Sequence, residues 1–142
     1  AALITRGLAE MSRLGEALGG KPGTFAGLAG MGDMIATCTS PQSRNRHVGI
    51  ELAKGRSIED IIDSMHMVAE GVKTTKVVME LAEQYGVDMP IAREVYGVLY
   101  EGNSPEDAYR GLTRRPAGAA AAPALCAHRT CVRRWPSASA RA

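Results

Sequence analysis

Apolar residues in this chain recur at intervals of three and four, in segments cut short by glycine or proline. No segment alternates apolar with polar residues for long enough to make a half-buried strand. That pattern points away from a sheet and toward a packing of short helices. Composition agrees: 45% of the residues are hydrophobic but only 4% are aromatic, so the core must be filled by Ala, Leu, Val, Ile and Met. Ala, Leu and Met are strong helix formers, whereas strands favour β-branched and aromatic side chains. A length of 142 residues suits one domain.

Along the chain, Leu3, Ile4, Gly7, Leu8, Met11, Leu14 and Leu18 share one helical face, which Gly19-Gly20 interrupts before Pro22. No capping residue precedes this face, so the first helix reads as cut from a longer one and the chain as an N-terminally truncated piece. Thr24 to Ala29 predicts a short helix with Phe25 and Leu28 inward. Gly30 and Gly32 then permit a tight turn or a close backbone approach. A helix from about Arg44 to Lys54 buries Val48 and Leu52 and stops at Gly55. Ser57 with Asp60 forms an approximate capping box ahead of Ile58, Ile61, Ile62 and Met65. A linker with His66 leads to a longer helix through Val78, Leu81, Ala82 and Tyr85, ending at Gly86. Pro90 opens another with Ile91, Val95, Val98 and Leu99, ended by Gly102. Ser104-Pro105-Glu106-Asp107 supplies a cap, a first-position proline and first-turn acids for a last helix. The expectation is an all-α bundle of about six or seven helices over residues 1–117. Residues 118–142, rich in Ala, Arg, Pro and Ser around a lone Trp135, predict a low-complexity, disordered tail unrelated to the domain.

Several function classes are disfavoured. A net charge of +2, from 17 basic and 15 acidic residues, is too small to argue for nucleic acid. No apolar run approaches a membrane span and no leader pattern is present, so a soluble, cytoplasmic protein is expected. Cys38, Cys126 and Cys131 are an odd set and not a disulfide framework. Cys126, His128 and Cys131 resemble part of a metal cluster but lack a fourth ligand, so no metal is expected.

The chemistry concentrates between Gly30 and Arg46, where an acid flanked by glycine, Asp33, precedes a hydroxyl-rich turn and the helix start Ser43-Arg44-Asn45-Arg46. A helix start favours an anion through unpaired N–H groups and the positive end of its dipole. Arg44 adds a fork of donors matched to phosphate oxygens. Asp33 suits the opposite end of such a ligand, since a carboxylate accepts from hydroxyls and repels phosphate. The plainer reading, an ordinary Ser43 cap with solvated arginines, stands beside it at this point.

Four stretches together carry a resemblance: Ala-Leu-Ile-Thr-Arg-Gly-Leu-Ala-Glu-Met at Ala2 to Met11, Thr-Phe-Ala-Gly-Leu-Ala-Gly-Met-Gly-Asp at Thr24 to Asp33, Thr-Cys-Thr-Ser with Ser-Arg-Asn-Arg through Arg46, and Val-Ala-Glu-Gly-Val at Val68 to Val72. From Ala1 to about Gly118 the chain resembles the C-terminal, substrate-binding domain of bacterial NAD(P)-dependent glycerol-3-phosphate dehydrogenase, a domain of the 6-phosphogluconate dehydrogenase-like type. The resemblance implies reversible hydride transfer between sn-glycerol 3-phosphate and dihydroxyacetone phosphate, serving phospholipid synthesis, with NAD or NADP as cofactor. It implies Asp33, Ser43, Arg44 and Asn45 as substrate-binding residues, and Arg44, Val68 and Glu70 as residues reaching the cofactor. Arg6 is not expected to be catalytic, Lys73 and Lys76 fit a solvated face, and Cys38 fits a small buried thiol. No Gly-x-Gly-x-x-Gly follows a strand here, and the family's catalytic lysine has no counterpart from Ala1 onward. The chain alone is therefore expected to lack dehydrogenase activity and to self-associate through an exposed apolar face. A non-catalytic helical binding or dimerisation module is the alternative.

Overall fold

Several of the helices begin at serines that can cap them, and several end at or beside a glycine. The computed structural model describes residues 2–65 and 69–114; Val68, His66, the Cys126–Cys131 stretch and the tail expected over residues 118–142 lie outside the described residues. Helix α1 spans Ala2–Ala17 and α2 Pro22–Ala26; a π-helical turn, Leu28–Gly32, runs directly into α3, Asp33–Thr39. Then follow α4 (Arg44–Ala53), α5 (Ile58–Ser64), α6 (Glu70–Tyr85), α7 (Pro90–Tyr100) and α8 (Pro105–Arg114), with no strand among the described residues. The all-α expectation holds, and α3 is an element the pattern did not predict. None of these helices is long and apolar enough to cross a membrane.

Local chemistry explains the boundaries. The Ser57 hydroxyl accepts the Asp60 N–H at 3.1 Å and the Ser104 hydroxyl accepts the Asp107 N–H at 3.1 Å, so α5 and α8 start as their sequence dictates. Gly86 ends α6 in the left-handed conformation, φ 64°, which a side chain would strain. At the far end of α4, Lys54 and Arg56 bond Glu51 and hold its carboxyl below its ordinary value.

Two apolar clusters hold the bundle. Val48 of α4, Ile61 of α5, Ala69 and Leu99 of α7 form one, with Leu52, Ile58, Met65 and Val72 packed around it. Ile61 is fully buried, and burying such a side chain contributes about 1.5–3 kcal/mol. Leu14 of α1, Ala82 of α6 and Met89 form the second, with Val78, Leu81, Val87 and Ala92. Ile62, expected inward, is largely exposed, because one face of a two-turn helix points at the core and Ile61 takes it.

Leu28 also departs from expectation: it is 90% exposed. Phe25 alone faces inward, its ring lying against Gly15 of α1, where an added Cβ would fall 2.0 Å from the ring. The next residues turn with a wider pitch, the Gly32 N–H reaching back to the Gly27 carbonyl, which shifts Leu28 off the face that an α-helical period assigns it. Gly30 is buried at this turn, and a Cβ there would lie 2.1 Å from the Phe25 carbonyl oxygen. The close backbone approach anticipated for this glycine pair is thus real at Gly30.

One buried charge ties the bundle together. The Glu10 carboxylate of α1, almost fully buried, accepts the Ile91 N–H at 2.7 Å and the Ala92 N–H at 3.2 Å, so it caps α7 from a distant helix. Burial pushes its carboxyl above the ordinary value, against the two N–H donors and Arg13, which pull it down. Arg13 in turn donates to the Asp88 carbonyl at 3.0 Å. Arg6, on the same helix, donates to the Leu112 carbonyl at 2.8 Å and so joins α1 to α8.

Candidate functional site

The starts of α4 and α6 and the C-terminal half of α3 assemble the site. Helix α3 carries Asp33 in its first turn; Ala36, Thr37 and Ser40 follow at the spacing that keeps one helix face. Across from that face, Ser43 caps α4 in extended conformation, its hydroxyl accepting the Arg46 N–H at 3.2 Å. Helix α6 begins at Glu70, and its N-cap, Ala69, has no side chain able to cap it. Asn45 does so instead: its Oδ1 accepts the Gly71 N–H at 3.0 Å.

These elements enclose an open depression of about 350 Å³, lined by Ala36, Thr37, Ser40, Gln42, Ser43, Arg44, Asn45 and Glu70. That volume is at the small end of the range for ligand sites. Ser43, Arg44, Asn45 and Glu70 are therefore brought together as their proposed roles require. Asp33 is exposed and is not in the lining, standing one turn back from Thr37 on the same stripe of α3. One turn is about 5.4 Å, so Asp33 stands behind the wall that Thr37 contributes to the depression. Val68 lies outside the described residues.

The electrostatics divide the depression into two ends. The positive end of the α4 dipole and the Arg44 guanidinium favour an anion at one end. Glu70 is the carboxylate within the lining, and Asp33 adds a second acid outside it, one turn back from Thr37. Ser43 is an ordinary N-cap, as the plainer reading required, yet its hydroxyl proton remains available to donate while its oxygen accepts from Arg46.

Thr37 and Ser40 are lining residues that the sequence reading missed. The signal was present in the spacing, since Asp33 and Thr37 are four apart, but it is visible only once α3 is known to be helical. Ile35, Thr37, Cys38 and Thr39 are poor helix formers, and packing overrides that preference; the Thr39 hydroxyl donates to the Ile35 carbonyl at 2.7 Å. Cys38, expected to be buried, is exposed, because α3 turns it away from the bundle. Lys73 and Lys76 are exposed on α6, as expected.

Two other concavities adjoin the site or lie apart from it. An apolar groove of about 400 Å³ runs between α4, α6, α7 and α8, lined among others by Val48, Leu52, Val72, Val98 and Leu112, and Asn45 and Gly71 form part of its wall. A larger, mixed-charge cleft of about 700 Å³ follows α6 and α7 and contains none of the candidate substrate- or cofactor-binding residues. Size and chemistry disagree, and the polar depression has the donor set.

A model of the family described as "NAD-dependent glycerol-3-phosphate dehydrogenase C-terminus" matches residues 1–110. The chain belongs to that family. It is 59% identical over 123 residues to glycerol-3-phosphate dehydrogenase [NAD(P)+] 2 of Sphingopyxis alaskensis, covering 87% of this chain and 37% of that protein. It is 57% identical over 115 residues to glycerol-3-phosphate dehydrogenase [NAD(P)+] of Prosthecochloris aestuarii, covering 81% and 35%. A crystal structure of glycerol-3-phosphate dehydrogenase from Coxiella burnetii superposes with a TM-score of 0.78 at 42% identity, again over 81% of this chain and 35% of the other. The chain thus spans little more than a third of the length of these dehydrogenases and corresponds to their C-terminal domain.

Proposed function

We propose that this domain forms the substrate-side wall of an enzyme that moves a hydride reversibly between sn-glycerol 3-phosphate and dihydroxyacetone phosphate. The observation that carries this reading is the meeting of Ser43, Arg44 and Asn45 in one depression at the start of α4, whose opposite wall includes Thr37, one helical turn on from Asp33. Arg44 and the α4 dipole take the phosphate, aided by the donors of Ser43 and Asn45. Asp33 accepts from the glycerol hydroxyls and repels the phosphate, so the two ends orient the three-carbon chain. Orientation of this kind is a large part of what a positioned site contributes to rate.

NAD or NADP, when bound, supplies the hydride acceptor or donor. The nicotinamide edge is the part of the cofactor that would lie beside the substrate. Arg44 and the exposed Glu70 carboxylate on its rim are the described residues suited to meet that edge, Glu70 by accepting from a carboxamide N–H. Phosphorylated substrates accord with a cytoplasmic enzyme.

A titration of the isotope-labelled chain with sn-glycerol 3-phosphate tests the reading. Saturable amide shifts are expected at Asp33, Thr37 and Ser43 to Arg46, and Arg44→Ala should weaken them at least about tenfold. Shifts unchanged in Arg44→Ala, or confined to another face, would refute it. Self-association is part of the same proposal, supported by the apolar groove and by exposed Leu3, Ile35, Val77 and Val95. Sedimentation showing only monomer at tens of micromolar would exclude it.

A further inference from the structure

We propose that Gly71 is a positioning residue for the anion end of the site, fixing Asn45 so that its NH₂ group, and not its oxygen, faces the ligand. The inference rests on the reading that an anion meets Ser43, Arg44 and Asn45. An asparagine carboxamide is both donor and acceptor, and in a site for an anion its oxygen is repulsive. A backbone N–H can be met only by the oxygen. The 3.0 Å contact between the Gly71 N–H and Asn45 therefore fixes which end of the carboxamide is occupied, and what remains is a pair of donors. Arg44 lines the same depression, so its positive charge adds to the donors of Asn45.

Space enforces the arrangement. A Cβ on Gly71 would lie 2.8 Å from Asn45 Cγ and Oδ1 and 2.9 Å from Nδ2, so any side chain there displaces the carboxamide. The turn carrying Gly71 is itself pinned. The Thr75 hydroxyl donates to the Gly71 carbonyl at 2.6 Å, and the Tyr100 hydroxyl donates to the Val72 carbonyl at 2.6 Å. Helix α6 cannot readily retreat to make room, so the strain falls on Asn45. Glycine at 71 serves a close approach here and not a turn.

The test titrates the full chain with inorganic phosphate and reads the Asn45 side-chain NH₂ resonances together with the Arg44 signals. The parent chain should show both sets shifting with one saturation curve. Gly71→Ala should weaken phosphate binding by roughly tenfold, the loss expected for one charge-assisted hydrogen bond, and should move the Asn45 NH₂ resonances before any phosphate is added. Asn45→Asp keeps an oxygen for the Gly71 N–H but replaces the donors with a carboxylate oxygen. It should retain the thermal midpoint and lose phosphate binding by more than tenfold, and parent-like binding by this variant refutes the proposal even if Gly71→Ala does not fold. Arg44 shifts in the parent chain with unmoved Asn45 NH₂ signals, or parent-like binding by Asn45→Asp or by folded Gly71→Ala, would overturn the role of Gly71 alone. An absence of Arg44 shifts would overturn the anion site and this proposal together.

Discussion

Helices α4, α5 and α8 carry their own caps, whereas α6 and α7 borrow theirs. Ser43, Ser57 and Ser104 each accept from an N–H three residues on. The first turn of α6 is instead met by Asn45 of α4, 26 residues away in sequence, and that of α7 by Glu10 of α1, more than 80 away. A local cap settles where a helix begins and does little else. A borrowed cap also fixes one helix against another, so these two caps help define the relative placement of α1 with α7 and of α4 with α6. The candidate site lies at the second of these junctions. The lesson is that the contacts shaping the site are those that sequence neighbours cannot supply.

The largest expected effect breaks the longer-range of the two borrowed caps. Glu10→Ala leaves two buried N–H groups at the start of α7 without an acceptor and opens space beneath them. It should destabilise the fold by about 2–4 kcal/mol in urea unfolding. A loss below about 1 kcal/mol would mean that water replaces the carboxylate easily. The pH dependence sharpens the same point. Burial raises the Glu10 carboxyl above the ordinary 4.5, so the folded chain holds that proton more tightly than the unfolded one. The stability linked to this proton is complete below the ordinary value and is lost as pH rises through the raised one. Measured as the difference in unfolding free energy from Glu10→Gln, it should fall as pH increases from about 4 and then level off. A difference that rises over that interval would reverse the assignment.

A smaller effect compares the two kinds of cap directly. Asn45→Ala should cost about 1–2 kcal/mol and also weaken phosphate binding, because the residue serves the helix and the ligand at once. Ser57→Ala should cost about 1 kcal/mol and leave phosphate binding as it was. Equal effects of the two on phosphate binding would erase the distinction.

The same contrast governs what could be read from sequence. Ser57 with Asp60, Pro90, Ser104 with Pro105, and Gly86 marked helix ends by nearest-neighbour chemistry, and the structure places the ends there. The stretch from Asp33 to Asn45 stood out as a candidate site because its residue types suit a phosphorylated polyol and its motifs resemble a known family. Helix α3 was hidden by β-branched residues whose intrinsic preference is overruled by packing. The inward placement of Leu28 failed because a single wide turn shifts the register, and no residue type announces such a turn. Glu10 looked like one more polar residue on a helix, since its partners at Ile91 and Ala92 are visible only in three dimensions. Thr37 was obscured in the same way, through the helix that carries it.

In most helices the first-turn amide hydrogens exchange with solvent soonest, because they lack partners within the helix. The start of α6 departs from that order: the Gly71 amide is bound by Asn45, and the following carbonyl is held by Tyr100. Deuterium should therefore enter this end slowly, on the timescale of separating α4 from α6 and not of fraying. Partly exposed in space, the beginning of α6 should in time behave as part of the interior of the bundle.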